Sequence, residues 1–270
     1  MFDTHAHLNF KDFAKDYSKI IQDSQDNDIE AIINVGSDLQ TSEKALKIAA
    51  ESDVCFASVG IHPIHTDRVK GMMSKEIQKK LEILGQAKKV VAVGETGLDY
   101  YHLPSVKVEQ ERIKEEQKKL FEIHLTLSQK LDLPLILHCR DAYDDLLEII
   151  QKTMEQWSNR TMVRGVIHCF CGSLETAKRF LDLGFNIGFT GMITYPGNEN
   201  LSEVIKVIPL DKILVETDCP YLAPQIKRGE RNLPYYVRYV ILHIAKAKGL
   251  RFEEVEKATT RNAVKLFQCF

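Results

Sequence analysis

The chain has 270 residues, 44% hydrophobic and 27% charged, the balance of an ordinary globular protein and not of a disordered or collagen-like one. Its formal net charge of -2 excludes bulk attraction as a means of holding a polyanion, so any nucleic-acid contact must be local. No leader-like start and no long apolar run is present, so secretion and membrane spanning are not expected, and six cysteines without a CxxC pair fit a reducing cytoplasm.

In chain order, short apolar runs alternate with longer stretches whose apolar residues recur at helical spacing. The first run, 2–7, reads as a strand. Alternation then turns His5 and His7 to one face with Ala6 on the other, so two imidazoles aim at one point. Such a pair suits a divalent metal, although a bare HxH can equally be two ordinary histidines. Further strands are expected at 31–36, 55–62, 90–95, 135–138, 165–168, 186–190 and 213–218. Helices are expected near 11–26, 40–52, 74–87, 107–131, 142–156, 173–183, 199–207, 234–248 and 252–268.

Strand then helix, eight times over, with strands apolar on both faces, predicts a parallel sheet covered by helices. Eight units favour closure into an α/β (β/α)8 TIM barrel, one domain over 1–270. An open doubly wound sheet is the alternative, and it would part the first and last strands.

The active site of such a barrel lies at the carboxyl ends of its strands. Read in order, those ends supply His5 and His7, His62, Glu95, His138, His168 and Asp218. Singly, each has an ordinary reading: Glu95 as a loop or capping carboxylate, the histidines as satisfied core groups, Asp218 as a turn cap. Gathered at one end of a barrel they point to a metal centre. Glu216 shares the facing of Asp218 and is expected one layer deeper, as an acceptor for a ligand or in an ion pair. Cys139, Cys169 and Cys219 each follow a member of the set, and alternation turns them outward as packing residues.

The motifs Asp3-Thr4-His5-Ala6-His7-Leu8, Val59-Gly60-Ile61-His62-Pro63, Gly94-Glu95-Thr96-Gly97-Leu98-Asp99-Tyr100, Leu137-His138-Cys139-Arg140-Asp141-Ala142 and Glu216-Thr217-Asp218-Cys219-Pro220-Tyr221-Leu222 resemble the TatD family of metal-dependent deoxyribonucleases, within the amidohydrolase-like barrels. The resemblance runs from Phe2 to the closing Thr260-Arg261-Asn262-Ala263. It implies one metal ion on His5, His7 and Asp218, a second on His138 and His168, and Glu95 bridging them. It implies hydrolysis of DNA, including removal of nucleotides from 3′ ends, with magnesium or a similar ion. Ligand chemistry alone favours zinc, manganese or iron over magnesium for so many imidazoles. Two divalent cations, Mg, Mn or Zn, are therefore expected. The chain departs from the resemblance at His124, where the family often has glutamine, and at Leu233 of Arg231-Asn232-Leu233-Pro234, where an acidic residue is frequent.

Two such cations would activate a water for attack on phosphorus. Asp218 is the candidate proton acceptor, or else a ligand only. His62 and Arg140 are expected to meet substrate phosphate, with an ion pair to Asp141 or Asp144 as the alternative for Arg140. Tyr100 and Tyr101 offer rings for a base or serve packing, and Lys227, Arg228 and Arg231 form a local basic segment, for phosphate or simply solvated. His65, His102 and His243 read as ordinary polar positions. DNA is the expected substrate and a monomer suffices. The same centre could instead hydrolyse a carboxylic ester, a lactone or an aminoacyl ester on transfer RNA, or the barrel could bind without catalysis.

Overall fold

Eight parallel strands pair in chain order in a computed structural model, which describes residues 1–157 and 163–269. They are β1 (Phe2–Ala6), β2 (Ala31–Val35), β3 (Cys55–Val59), β4 (Val90–Asp99), β5 (Leu135–Arg140), β6 (Gly165–Ile167), β7 (Asn186–Phe189) and β8 (Ile213–Val215). The helices around them are α1 (Tyr17–Asp26), α2 (Leu39–Glu51), α3 (Ser74–Gly85), α4 (Lys107–Leu131), α5 (Tyr143–Gln156), α6 (Leu174–Asp182), α7 (Glu199–Val207), α8 (Val237–Lys248) and α9 (Phe252–Phe267). The predicted barrel is therefore present, and the open sheet is not.

Closure is made past the end of β8 by a short seam. Ala6 bridges Cys219 in parallel, the His7 N–H donates to the Cys219 carbonyl at 2.9 Å, and the Asp218 N–H donates to the His5 carbonyl at 2.8 Å. Asp3 holds the two sides together, accepting from the Thr217 N–H at 2.9 Å and the Thr217 hydroxyl at 2.6 Å. Beneath the mouth lies an apolar floor of Ile33, Phe56, Ile136, Val166 and Leu214. Ile136, Val166 and Leu214 each precede by two a polar residue of the site, His138, His168 and Glu216. Strand alternation therefore stacks that site directly on dry hydrocarbon.

Several boundaries differ from expectation. The expected helix 11–26 is a short 3-10 turn, Lys11–Phe13, followed by α1, and α8 is preceded by another at Pro234–Tyr236. β4 does not stop at Glu95. Its glycines read as a turn, yet pairing continues through Thr96↔Leu137, Gly97↔His138 and Asp99↔Arg140. Gly97, at φ 134°, makes this possible: a Cβ there would sit 2.0 Å from the His138 carbonyl oxygen, a position open to glycine alone. β1, β3, β6 and β8 stop one to three residues early. His7, His62, His168 and Asp218 thus project from just past their strands, while His5 lies within β1.

Candidate metal centre

Glu95 stands in the middle of the mouth with its two oxygens facing different groups. Its Oε2 lies 3.5 Å from His5 Nε2 and 3.8 Å from His7 Nε2. Its Oε1 lies 3.1 Å from His138 Nδ1, 3.4 Å from His62 Nε2 and 3.9 Å from His168 Nε2. Asp218 closes the first group, its Oδ1 being 3.4 Å from His7 Nε2 and 3.7 Å from His5 Nε2. The two imidazole nitrogens of that group are 3.2 Å apart. A divalent ion with ligands at about 2.0–2.2 Å needs neighbouring donors roughly 2.8–3.6 Å apart in a tetrahedral or octahedral shell. Most of these spacings fall within or close to that range, so the residues present fit a metal ion.

Ring tautomers sort the histidines. His7 Nδ1 donates to the Val35 carbonyl at 2.9 Å, which leaves the Nε2 lone pair for a metal. His168 turns Nδ1 toward Glu216 Oε2, 3.0 Å away though poorly aligned, and so also presents Nε2. His138 directs Nε2 to Asp99 Oδ2 at 3.1 Å and presents Nδ1. His62 is the reverse case. Its Nδ1 accepts from the Ile64 N–H at 3.2 Å, so the neutral ring carries its proton on Nε2 and offers a donor where the others offer a lone pair. His62, Glu95 and His138 lie close enough together to hold an ion, yet with its Nδ1 lone pair filled the neutral His62 ring presents a hydrogen-bond donor.

Charge follows the same division. Burial alone would keep Glu95 protonated, but the imidazoles of His62, His5 and His138 outweigh it and hold the carboxyl well below the usual range. Burial likewise opposes ionisation of Asp218, and the surrounding imidazoles of His7, His168 and His5 overcome it and hold the carboxyl below its usual range. His5 is pushed down by burial and by the stacked ring of His168, and His62 by burial and His138 to about 4. Burial would also lower His168 and His138. Glu216, followed by Asp218 and Glu95, instead pushes His168 up to about 10, and Asp99 with Glu95 raises His138. Two ionised carboxylates among imidazoles, with the His5 Nδ1 left without a hydrogen-bond partner, form a donor set suited to divalent cations.

Three buried residues behind the donors escaped the sequence reading or were only partly seen. Asp99 accepts from His138 and also from the His102 ring at 2.8 Å and the His102 N–H at 3.0 Å. His102 is therefore tied to the centre and is not an ordinary surface position. Gln117 of α4 clamps the backbone of Asp99 on both sides, accepting from its N–H at 2.8 Å and donating to its carbonyl at 2.9 Å. Glu216, foreseen as a deeper acceptor, receives the Cys169 N–H at 2.7 Å. Gly188 makes room for it, since a Cβ there would meet Glu216 Oε1 at 2.2 Å. Continuation of β4 past Glu95 was the missing signal for Asp99, and the glycines masked it.

The remaining expectations divide. Arg140 and His62 lie at the mouth, and no carboxylate pairs with Arg140 among the described residues: Asp144 is taken by Arg179 at 2.6 Å. Tyr100 and Arg231 are not brought into the donor cluster. The Tyr100 hydroxyl donates to Asp145 at 2.7 Å and Lys114 covers its ring. Arg231 is paired with Asp16 at 2.6 Å and lies over Phe13. Cys139 and Cys219 pack in the core as expected, but Cys169 does not turn outward. β6 ends before it, its φ is 46°, and its Sγ lies 3.2 Å from Thr190 Oγ1 in the next loop. His124 donates from Nδ1 to the Leu120 carbonyl and accepts the Ile61 N–H at 3.0 Å, steadying the approach to His62.

The sequence profile of a family described as TatD related DNase matches residues 2–268. The chain belongs to the TatD family. It is accordingly a metal-dependent hydrolase, an enzyme acting on ester bonds. A relative in Bacillus subtilis, the uncharacterized metal-dependent hydrolase YabD, is 37% identical, with 99% of each chain covered. The 3'-5' ssDNA/RNA exonuclease TatD of Pantoea ananatis is 31% identical, again over 99% of both. The crystal structure of YJJV, a TatD homolog from Escherichia coli K12, superposes with a TM-score of 0.87 at 29% identity, covering 99% of this chain and 98% of that one. Among the described residues of this TatD-family chain, no helix is long and apolar enough to cross a membrane.

Proposed function

We propose that this protein is a nuclease that hydrolyses phosphodiester bonds of DNA, removing nucleotides in the 3′-to-5′ direction, as a single barrel domain over 1–270 in the cytoplasm. The observation that carries this reading is the place of Glu95 among the donors, with His5 and His7 on its Oε2, His138 on its Oε1, and His168 3.9 Å from both that Oε1 and Asp218 Oδ1. His5, His7 and Asp218 would hold one divalent cation, His138 and His168 a second, and Glu95 would touch both, with Mg, Mn or Zn as candidates. The cations would acidify water and neutralise charge on the phosphoryl group.

The chain's own groups do the rest. Asp218, kept ionised among imidazoles and 16% exposed, accepts the proton of the attacking water. His62, neutral with its proton on Nε2, donates to a phosphoryl oxygen and holds it over the centre. Arg140, exposed and without a carboxylate partner among the described residues, adds charge where the leaving strand departs. The relatives named as exonucleases support nucleic acid over the ester and lactone readings that the same centre would allow.

The test is DNA degradation by purified wild type and Glu95→Ala, each stripped of metal and resupplied with magnesium, manganese or zinc. Wild type is expected to release nucleotides only with metal, and the variant to lose most of the activity. Two bound metals with intact DNA under every condition would sink the substrate assignment and turn the work to esters, lactones and charged transfer RNA.

A further inference from the structure

Resting on the nuclease reading, we propose that Tyr101 and Arg140 together form a stacking subsite for an unpaired base, one to two nucleotides from the bond that is cut. The sequence offered Tyr100 and Tyr101 as rings for a base, with Tyr100 as the expected substrate contact, and the structure separates them. Tyr100 has its hydroxyl and its ring committed to Asp145 and Lys114. Tyr101 is 58% exposed, and the Arg140 guanidinium lies over its ring with Cζ 3.7 Å from the centroid. Tyr101 also meets His102 edge-on, with centroids 5.0 Å apart.

That placement ties the pair to the centre through short contacts. His102 is held by Asp99, and Asp99 holds His138. Arg140 is the second residue past His138 on the same face of β5, about 6.6 Å further along at 3.3 Å per residue. Stacked nucleotides advance about 3.4 Å per step. A chain with its scissile phosphate at the centre therefore brings its next base or the one after to the guanidinium. Tyr101 holds that guanidinium against its ring and covers the side turned toward it. The other face is left for a base, and the N–H groups for the adjoining phosphate. A paired base could not enter, since it is already stacked and hydrogen-bonded within its duplex. The subsite thus selects single strands, by ring contact and without reading sequence.

Metal-reconstituted wild type, Tyr101→Ala and Tyr101→Phe are compared on three substrates: a single-stranded oligonucleotide, the same strand with one abasic residue moved stepwise from its 3′ end, and methyl p-nitrophenyl phosphate, which has no nucleobase. Tyr101→Ala is expected to raise KM for the intact strand roughly tenfold or more, the range of one lost stacking contact, with kcat nearly unchanged. Tyr101→Phe should match wild type. An abasic residue at one position should cost wild type a similar factor and cost Tyr101→Ala nothing further, and the small ester should be cleaved equally by all three. Oligonucleotide binding without metal should fall in parallel. If wild type degrades the strand and Tyr101→Ala does so with the same KM, or if the small ester is slowed equally, the subsite is refuted while the nuclease reading stands. If wild type neither binds nor cleaves any nucleic acid, both fall together.

Discussion

Replacing Asp99 by asparagine keeps the size of the side chain and removes its charge. Asp99 is fully buried and takes three hydrogen bonds, from the His102 N–H, the His102 ring and His138 Nε2, at 3.0, 2.8 and 3.1 Å. The bond to His138 matters most, because it keeps the proton on Nε2 and so leaves Nδ1 free to bind metal. An amide in that place meets Nε2 with an uncharged oxygen, or with an N–H that drives the ring to the wrong tautomer. A hydrogen bond to a charged group is worth about 1.5–3 kcal/mol, or roughly 10- to 100-fold in affinity at about 1.4 kcal/mol per decade. Loss of such outer partners elsewhere has the same size. Isothermal titration of the metal-free protein should then show one of two sites weakened by that factor. The site built on His5, His7 and Asp218 should change by a few-fold at most, since Asp99 touches none of these. Unchanged affinity at both sites, or equal weakening of both, would refute the argument that Asp99 acts through His138.

Three further outcomes follow from the same geometry. Metal binding must expel the protons that His138 and His168 hold when Asp99, Glu95 and Glu216 raise their pKa values, the latter to about 10. Affinity should therefore rise with pH from about 6.5 toward 10, and titrations in buffers of different ionisation enthalpy should show proton release; a flat profile would contradict the charges assigned here. Gly188→Ala should push Glu216 off its seat against Cys169 and cost about 1–3 kcal/mol of stability in denaturant unfolding, with weaker metal binding at His168; a variant as stable as wild type would show that Glu216 can move freely. Chelation should lower the melting temperature of the wild type, since saturating metal at about 1,000 times its Kd stabilises the folded state by about 4 kcal/mol. Glu95→Gln should show a much smaller difference between its metal-bound and metal-free forms.

Much of the donor set was visible in sequence because each member ends an apolar run. An ionisable side chain at that point must leave the hydrocarbon, and in a closed parallel barrel it can leave only into the mouth. His5, His7, His138, His168 and Asp218 follow from this logic, and the structure gathers them with Glu95. Asp99 did not, because Gly94 and Gly97 look like a turn and the partners that keep the strand going, such as His138 opposite Gly97 and Arg140 opposite Asp99, lie far along the chain on β5. Cys169 was misplaced for the opposite reason: alternation was carried one residue beyond the end of its strand.

The order of strands and helices, the eightfold count and the composition of the mouth were written in local periodicity, a property of neighbours in the chain. Three other matters were decided only by the tertiary fold. His62 offers a donor at Nε2 because the Ile64 backbone N–H fills its Nδ1 lone pair. Tyr101 and not Tyr100 faces solvent beside Arg140, because Asp145 from α5 captures the Tyr100 hydroxyl. The seam closes on Asp3 and Thr217, 214 residues apart. Tautomer, exposure and closure depend on groups that meet only after the barrel has formed, and local pattern carries no record of them.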